Sequence, residues 1–423
     1  MQDFDAAGLA RRLGAEVRGE VRFDAKARAL YAGDASNYRV PPTGVVLPQD
    51  TEDVIAAVRI CAEFGAPVTQ RGAGTSVVGN AIGPGVVIDN SRHLTAIRDI
   101  DAPSRRAVVE PGVVLDDLQR AAARHGLRFG PDPSSRSRCT VGGMVGNNAC
   151  GARSVAWGTT AGNVHALDVL LVDGSRFTAG PAGMYPPPIG VAAAVQDLVQ
   201  SHLALVRTAL PNWPRRVSGY ALQHLLPEHG ENLARALVGT EGSCVTVLGA
   251  ALDLVESPPA VALAVLGYPD APAAADAVPR LLDTQPLAVE GIDAALVAAL
   301  VARGRRPAVE LPAGGAWLLV EMAGSDPTDA SNRARWLVAD AGRPAVVLVD
   351  PAQQRALWRI REDGAGLATR RADGGEAWPG WEDATVPPQR LGDYLREFDE
   401  LRRRHGRNGT VYGHFGEGCL HVR

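Results

Sequence analysis

The chain has 423 residues and a formal net charge of −4, with 46% apolar and 21% charged residues. That composition is normal for a globular protein, and the length exceeds one ordinary core, so two or three domains are expected. Lys26 is the only lysine and the arginines are scattered, so no basic patch marks nucleic acid as a partner. The five cysteines, Cys61, Cys139, Cys150, Cys244 and Cys419, are widely spaced and contain no CxxC pair, which argues against a disulfide framework and a cysteine-built iron–sulfur or structural zinc site.

Residues 1–17 read as an amphipathic helix rather than a signal peptide. No run of about 18 uninterrupted apolar residues appears, so no membrane span is expected; a reducing cytoplasm is the default compartment. GVVLP (44–48) reads as a short strand. Thr51 offers an N-cap with Glu52 and Asp53 in the first turn, Val54, Ile55, Val58 and Cys61 follow at helical spacing, and Gly65 stops the helix before a strand at 66–70. This βαβ-like unit leads into RGAGTSVVGNAIG (71–83). Gly72 and Gly74 begin a dinucleotide fingerprint, but position 77 is Val and no helix pattern follows. The residues leave two readings open: a nest of backbone N–H groups around a phosphate, with Thr75 and Ser76 adding hydroxyls, or a plain glycine-rich turn.

Strands are expected at 85–90 and 106–113, and a helix at 115–126. The Gly- and Asn-rich segment 130–162 is too long for an idle loop, and its anchors Val141, Met144, Val145, Val155 and Trp157 favour an ordered wrap. A strand follows at 164–175. From residue 257, VALAVLGY, GAWLLVEM and PAVVLVD read as strands between Ala-rich helices, a second α+β domain. LWRIREDGAG (357–366) reads as a helix, on which Arg361 is a carboxylate binder or a surface arginine. The chain ends in YGHFGEGCLHVR, where a strand, a tight turn and a returning strand bring His414 and His421 to one locus. Spacing alone leaves a metal site, a base and buried bystanders open.

Segments 129–174, 70–76 and 238–254 together resemble the flavin domain of the PCMH-type, vanillyl-alcohol-oxidase-like FAD oxidoreductases, in the glycolate, D-lactate and D-2-hydroxyglutarate dehydrogenase branch. The resemblance covers nearly the whole chain. It implies a two-lobed FAD-binding domain at 1–256, with a helical lead-in over 1–40, and a ferredoxin-like α+β substrate or cap domain at 257–423. By that resemblance the pyrophosphate lies at Arg71, Gly72, Ala73, Gly74, Thr75, Ser76 and Gly79. The ribityl chain and isoalloxazine lie at Pro131, Asp132, Thr140, Gly142, Gly143 and Asn147. Gly158, Asn163 and Val164 contact the adenine half, and Glu241 and Gly242 close the pocket. No histidine stands in the glycine loop, so the FAD is expected to be noncovalent.

GHFGEGCLH (413–421) resembles the family's GHxGDGNLH motif, in which both histidines bind a zinc-like divalent metal. The resemblance makes Arg361 the anchor of the substrate carboxylate, and His414, His421 or Glu417 the base. Hydride then passes from C2 of a small D-2-hydroxy acid to flavin N5. Cys419 and Glu417 replace the usual Asn and Asp, and WPGWEDATVPPQRL (378–391) lacks the lysine some relatives place on a second carboxylate. These departures resemble long members fused to an iron–sulfur region, and relatives supply a third metal ligand, a Glu, beyond residue 423, so a truncated cap domain is expected. Electrons are expected to leave to an iron–sulfur region or protein, an electron-transfer flavoprotein or a quinone, with peripheral contact at the inner membrane face. Three other readings are a flavin-binding module inactive alone, a non-redox alkyl-transfer flavoenzyme, and a flavin-free metal hydrolase using His414 and His421, which leaves 130–164 unexplained.

Overall fold

The computed structural model describes residues 4–210, 213–307, 309–369, 375 and 381–423. The chain divides into two compact units, one formed by Met1–Ala149, Thr159–Pro211 and Val217–Glu256, the other by Cys150–Gly158, Asn212–Arg216 and Ser257–Arg423. Each mixes helices with a sheet, the α+β class expected.

In the first unit, strand Gly44–Leu47 is buried along its length and leads to helix Thr51–Glu63. The cap is Asp50 rather than Thr51: its carboxylate accepts hydrogen bonds from the Glu52 and Asp53 N–H groups. A charged acceptor gains from the helix dipole where a hydroxyl does not. The sheet order is Glu20–Arg22, Gly44–Leu47, Val86–Asp89, Val68–Arg71, the first pair antiparallel and the other two parallel. The glycine loop thus leaves the carboxyl end of a parallel strand, a common place for ligand loops in such sheets. A second, antiparallel sheet orders Ile97–Asp101, Arg106–Val109, Thr246–Asp253, Val164–Leu170 and Arg176–Ala179. Strand Thr246–Asp253 buries every other residue, the period-two pattern of a sheet with one covered face. The segment 130–162 is ordered and contains helices Val141–Asn147 and Ser154–Trp157.

Among the described residues one helix, Ile189–Ala209, is long and apolar enough to cross a membrane by length and composition alone, and little of it is buried. Gln196, Asp197, Gln200 and His202 interrupt its apolar runs, which hid it from a search for unbroken ones.

The second unit is built on a seven-stranded sheet in the order Ala345–Leu348, Ala260–Tyr268, Ala316–Gly324, Ala288–Asp293, Val411–Gly413, Cys419–Val422, Trp381–Thr385. Ala262, Ala264 and Leu266 share one apolar cluster with residues of helices Ala271–Leu282 and Pro327–Ala341. Leu263 and Val265 point the other way, into a cluster with helices Ala294–Ala302 and Pro351–Glu362. Burial on both faces explains why VALAVLGY is a continuous apolar run instead of an alternating one. Trp378, Pro379 and Gly380 of the 378–391 segment lie outside the described residues; the strand and the prolines after it are as the sequence suggested.

Asp293 caps helix Ala294–Ala302, its carboxylate accepting from the N–H groups of Leu296 and Val411, both at 2.8 Å. Burial pushes this carboxyl up to about 6 despite those bonds. A raised folded pKa means that the native state holds the proton more tightly than the unfolded chain. The stabilisation is therefore complete below about pH 4, the unfolded value, and is lost as pH rises through 6. The urea midpoint of the wild type relative to Asp293→Asn should accordingly fall from about pH 4 to 6 and stay level above 7.

Candidate functional site

The first unit holds a cleft of about 270 Å³. Strand Val68–Arg71 delivers the glycine loop to one wall, helix Val141–Asn147 forms another, and the turn at 240–242 closes it. No helix begins in the loop. Gly72 is required by close approach, since a Cβ there would lie 2.0 Å from Oγ1 of Thr140, the residue whose hydroxyl caps the helix at Gly143. Asn80 Nδ2 donates to Asn147 Oδ1 at 2.6 Å, and the Glu241 N–H donates to the Gly146 carbonyl at 2.9 Å. Loop, helix and turn are thus tied into one rim. Glu241 and Gly242 both take left-handed backbone there, φ 54° and 73°.

Of the residues assigned to a cofactor, Arg71, Gly72, Gly79, Thr140, Gly142, Gly143, Asn147, Glu241 and Gly242 line this cleft. Arg71 does so with its guanidinium committed elsewhere. It donates to the carbonyls of Gly33 and Ala81 and lies over the Tyr31 ring, so it braces the loop. Ala73, Gly74, Thr75, Ser76, Pro131, Asp132, Gly158, Asn163 and Val164 are not among the lining residues. Ser76 Oγ accepts from the N–H groups of Val78 and Asn80, which fastens the loop on itself. Asp132 is buried 3.8 Å from Arg128, Asn163 donates to the Thr159 carbonyl, and Val164 is a core strand residue. Gly158 takes left-handed backbone at the end of helix Ser154–Trp157, in the second unit. The cleft offers neutral amides, a hydroxyl and glycine backbone, the donor set that a polyanionic group with a flat ring requires. Gly72→Val should cost at least tenfold in flavin affinity while leaving the fold intact, checked by flavin retention on gel filtration beside circular dichroism.

The second unit gathers the charged residues. Strand alternation puts Glu290 between Ala288 and Ile292, and Glu321 beyond Leu319, on the face that receives helix Pro351–Glu362. Trp358 and Arg361, one helical turn apart, reach these acids. Trp358 Nε1 donates to Glu321 at 3.2 Å, and Arg361 Nε pairs with Glu290 Oε2 at 2.6 Å. Arg153 grips Glu321 with two bonds of 2.6 Å. Arg359, on the other side of the helix, is exposed.

The other oxygen of Glu290 lies 2.8 Å from His414 Nδ1. The Arg361 Nη2 atom is 3.4 and 3.3 Å from the two ring nitrogens of His414. Near-equal distances of that size place it over the ring face, off the line of the in-plane lone pair. The C-terminal hairpin brings in the second histidine: Tyr412 pairs with His421 across Val411–Gly413 and Cys419–Val422, and the rings of His414 and His421 meet edge to face at 5.2 Å. His421 Nδ1 is 2.8 Å from Asp383. Gly418 closes the turn in left-handed backbone, where a Cβ would fall 1.8 Å from the Val386 carbonyl oxygen. Glu417 pairs with Arg215 at 3.1 Å, both side chains 2% exposed, and Arg215 also acts on His414 and Asp383.

The cluster's electrostatics follow from burial and its cations. Burial, then Arg215 and Arg361, hold the His414 pKa well below its usual value, so the ring is neutral at pH 7. Burial raises the carboxyls of Glu290 and Glu417, while Arg361 and Arg215 respectively are the leading cations pulling them back. Burial also acts to raise Asp383, but the hydrogen bond and charge of His421 bring it down to about 2. Among the described residues no group of three or more His, Cys, Asp or Glu side chains is placed to hold a metal ion, so the metal reading rests on the two imidazoles.

Glu290, Glu321, Asp383, Arg153 and Arg215 were not singled out from sequence. LAVEGID and WLLVEM each carried a readable signal, an acid, Glu290 or Glu321, flanked by apolar strand residues. Arg215, in PNWPRRVSG, had none.

Residues 42–180 match the FAD binding domain, and residues 257–423 match the C-terminal domain of FAD linked oxidases. The chain is similar to the D-2-hydroxyglutarate dehydrogenase of Pseudomonas putida, 30% identical over 96% of this chain and 43% of that protein. It is similar to the D-lactate dehydrogenase of Archaeoglobus fulgidus, 29% identical over 89% of this chain and 74% of the other. To the glycolate oxidase subunit GlcD of Bacillus subtilis it is 26% identical over 96% and 78%. The chain thus spans less than half the length of the D-2-hydroxyglutarate dehydrogenases it matches. In fold it resembles a solved alkyldihydroxyacetonephosphate synthase, with a TM-score of 0.67 at 15% identity over 100% of this chain and 80% of the other.

Proposed function

Because the chain belongs to the PCMH-type FAD-linked oxidases, with their FAD binding domain at 42–180 and C-terminal domain at 257–423, we propose that it oxidises a small D-2-hydroxy acid to the 2-oxo acid. The observation that carries this reading is the joining of Arg361 and His414 through Glu290 in the second unit. A guanidinium binds a carboxylate through two parallel bonds, and a neutral imidazole beside it faces the neighbouring hydroxyl. Buried Leu357, Ile360 and Tyr412 keep the cluster dry, which strengthens each of these interactions. FAD, held by the glycine rim of the first unit, supplies the hydride acceptor when bound.

A neutral His414 suits two roles, proton acceptor and metal ligand. His414 and His421 each set Nδ1 2.8 Å from a carboxylate oxygen, the arrangement that orients ligating histidines. These two would hold a divalent cation, which lowers the pKa of a hydroxyl it touches. Metal analysis separates the roles: about one bound divalent ion per chain goes with ligation, and none goes with His414 as the base.

The test of the activity is anaerobic stopped-flow mixing with D-lactate, D-2-hydroxyglutarate and glycolate. Flavin bleaching by one of them is expected, and bleaching by none refutes the reading. The final electron acceptor would be an iron–sulfur region or protein, an electron-transfer flavoprotein or a quinone. Acid precipitation should release the flavin into the supernatant, because the loop at 71–83 has no histidine to bond it covalently.

A further inference from the structure

Glu290 is a buried acid to which the proposed chemistry gives no step of its own. It stands in the middle of a core strand, 1% exposed, between Ala288 and Ile292. An ionised carboxylate in such a place is costly unless it is paired. Its two oxygens face different residues of the cluster: Oε2 forms an ion pair with Arg361 Nε at 2.6 Å that is not aligned as a hydrogen bond, and Oε1 lies 2.8 Å from His414 Nδ1. Arg361 is 6% exposed, on the helix that covers this sheet face. His414 follows the neighbouring strand, whose Gly413 pairs with Gly291, the residue next to Glu290.

We propose that Glu290 is a positioning residue that sets the substrate-binding arm of Arg361 and the tautomer of His414 together. By engaging Nε, it turns the terminal nitrogens of the guanidinium toward His414, where Nη2 already lies. By accepting from His414, it fixes the proton on Nδ1 and leaves the lone pair on Nε2, the atom needed for ligation or for proton acceptance. A carboxylate that merely neutralised Arg361 would not need a second oxygen on the imidazole. This inference rests on the reading that a 2-hydroxy acid is the substrate, but half of its test does not.

The first measurement is nitrogen NMR of the holoprotein with labelled histidine, the His414 signal being assigned by its loss in His414→Gln. The Nδ1–H tautomer is expected in the wild type and a changed tautomer mixture in Glu290→Ala. A wild-type His414 carrying its proton on Nε2 overturns the proposal without any variant at Glu290 having to fold. The second measurement is flavin reduction by whichever hydroxy acid reduces the wild type. Glu290→Gln should retain flavin yet lower the limiting reduction rate by about 10–100-fold, with a smaller rise in the hydroxy-acid dissociation constant. Glu290→Asp, too short to span both partners, should lose a similar factor. Wild-type limiting rates in both variants overturn the proposal. If no hydroxy acid reduces the wild-type flavin, the functional reading fails, and the tautomer still decides the role of Glu290.

Discussion

On the proposed function, Arg361→Lys should lower the second-order rate of flavin reduction by a 2-hydroxy acid by about 10²–10³, with flavin content unchanged. The size follows from what the guanidinium does at once. Its Nε is held by Glu290 at 2.6 Å, while its Nη2 reaches the face of His414. An ammonium is a single point charge and cannot occupy both positions. Held by Glu290, it withdraws from the substrate carboxylate; drawn to the substrate, it abandons a buried acid. Losing one charge-assisted hydrogen bond costs about 1.5–3 kcal/mol, and a misplacement of about 1 Å in the bound acid adds up to about 10²-fold. Anaerobic single-turnover reduction across a range of hydroxy-acid concentrations reads both parts. An unchanged rate would remove Arg361 from the substrate site. Arg361→Ala should behave differently, because it leaves Glu290 buried without its cation, a loss of about 3–5 kcal/mol of stability. Its lowered urea midpoint would distinguish a damaged fold from a damaged site.

The fold was legible where local chemistry and global packing agree. Helix Thr51–Glu63 follows from acids in its first turn and apolar spacing, and its cap shifted only by one residue because Asp50 carries a better acceptor. The terminal hairpin follows from a glycine-punctuated turn between two apolar strands, and the structure pairs Val411 with Val422 and Tyr412 with His421. Helix Ile189–Ala209 escaped because its apolarity is an average over interrupted runs. The site divides in the same way. Gly142 and Asn147 sit in one glycine-dense segment and Gly72 in another, where the spacing is itself a signal, and all three line the cleft. Arg71 lies beside Gly72, yet nothing in its spacing tells whether the guanidinium faces the ligand or the carbonyls of Gly33 and Ala81. Side-chain direction depends on what the rest of the unit offers. Glu417 shows this most clearly. Its place between two histidines suggested a base, and the structure pairs it with Arg215, some two hundred residues earlier in sequence. Long-range charge pairing of this kind leaves no periodic trace.

His414→Gln carries the other large expected effect, and it tests the cluster from the opposite side. Glutamine can still offer a polar group toward Glu290, so the fold should hold, with a urea midpoint close to that of the wild type. It has neither a neutral ring nitrogen to accept a proton nor the imidazole ligand that suits a zinc-like ion. The cleft proposed for the flavin lies in the first unit, and the oxidised spectrum should therefore persist. The limiting rate of reduction should fall by about 10³, within the roughly 10²–10⁴ range for loss of a positioned proton acceptor. His165 is the matching control: it is buried in the first unit near Asp253 and no part of this cluster, so His165→Gln should leave the rate within about twofold. His421→Gln divides the two roles of His414. If His414 alone takes the proton, His421→Gln spares most of the rate. If both rings hold a cation, the two variants fall together and lose bound metal together, because a site reduced to one imidazole has too few ligands to retain it.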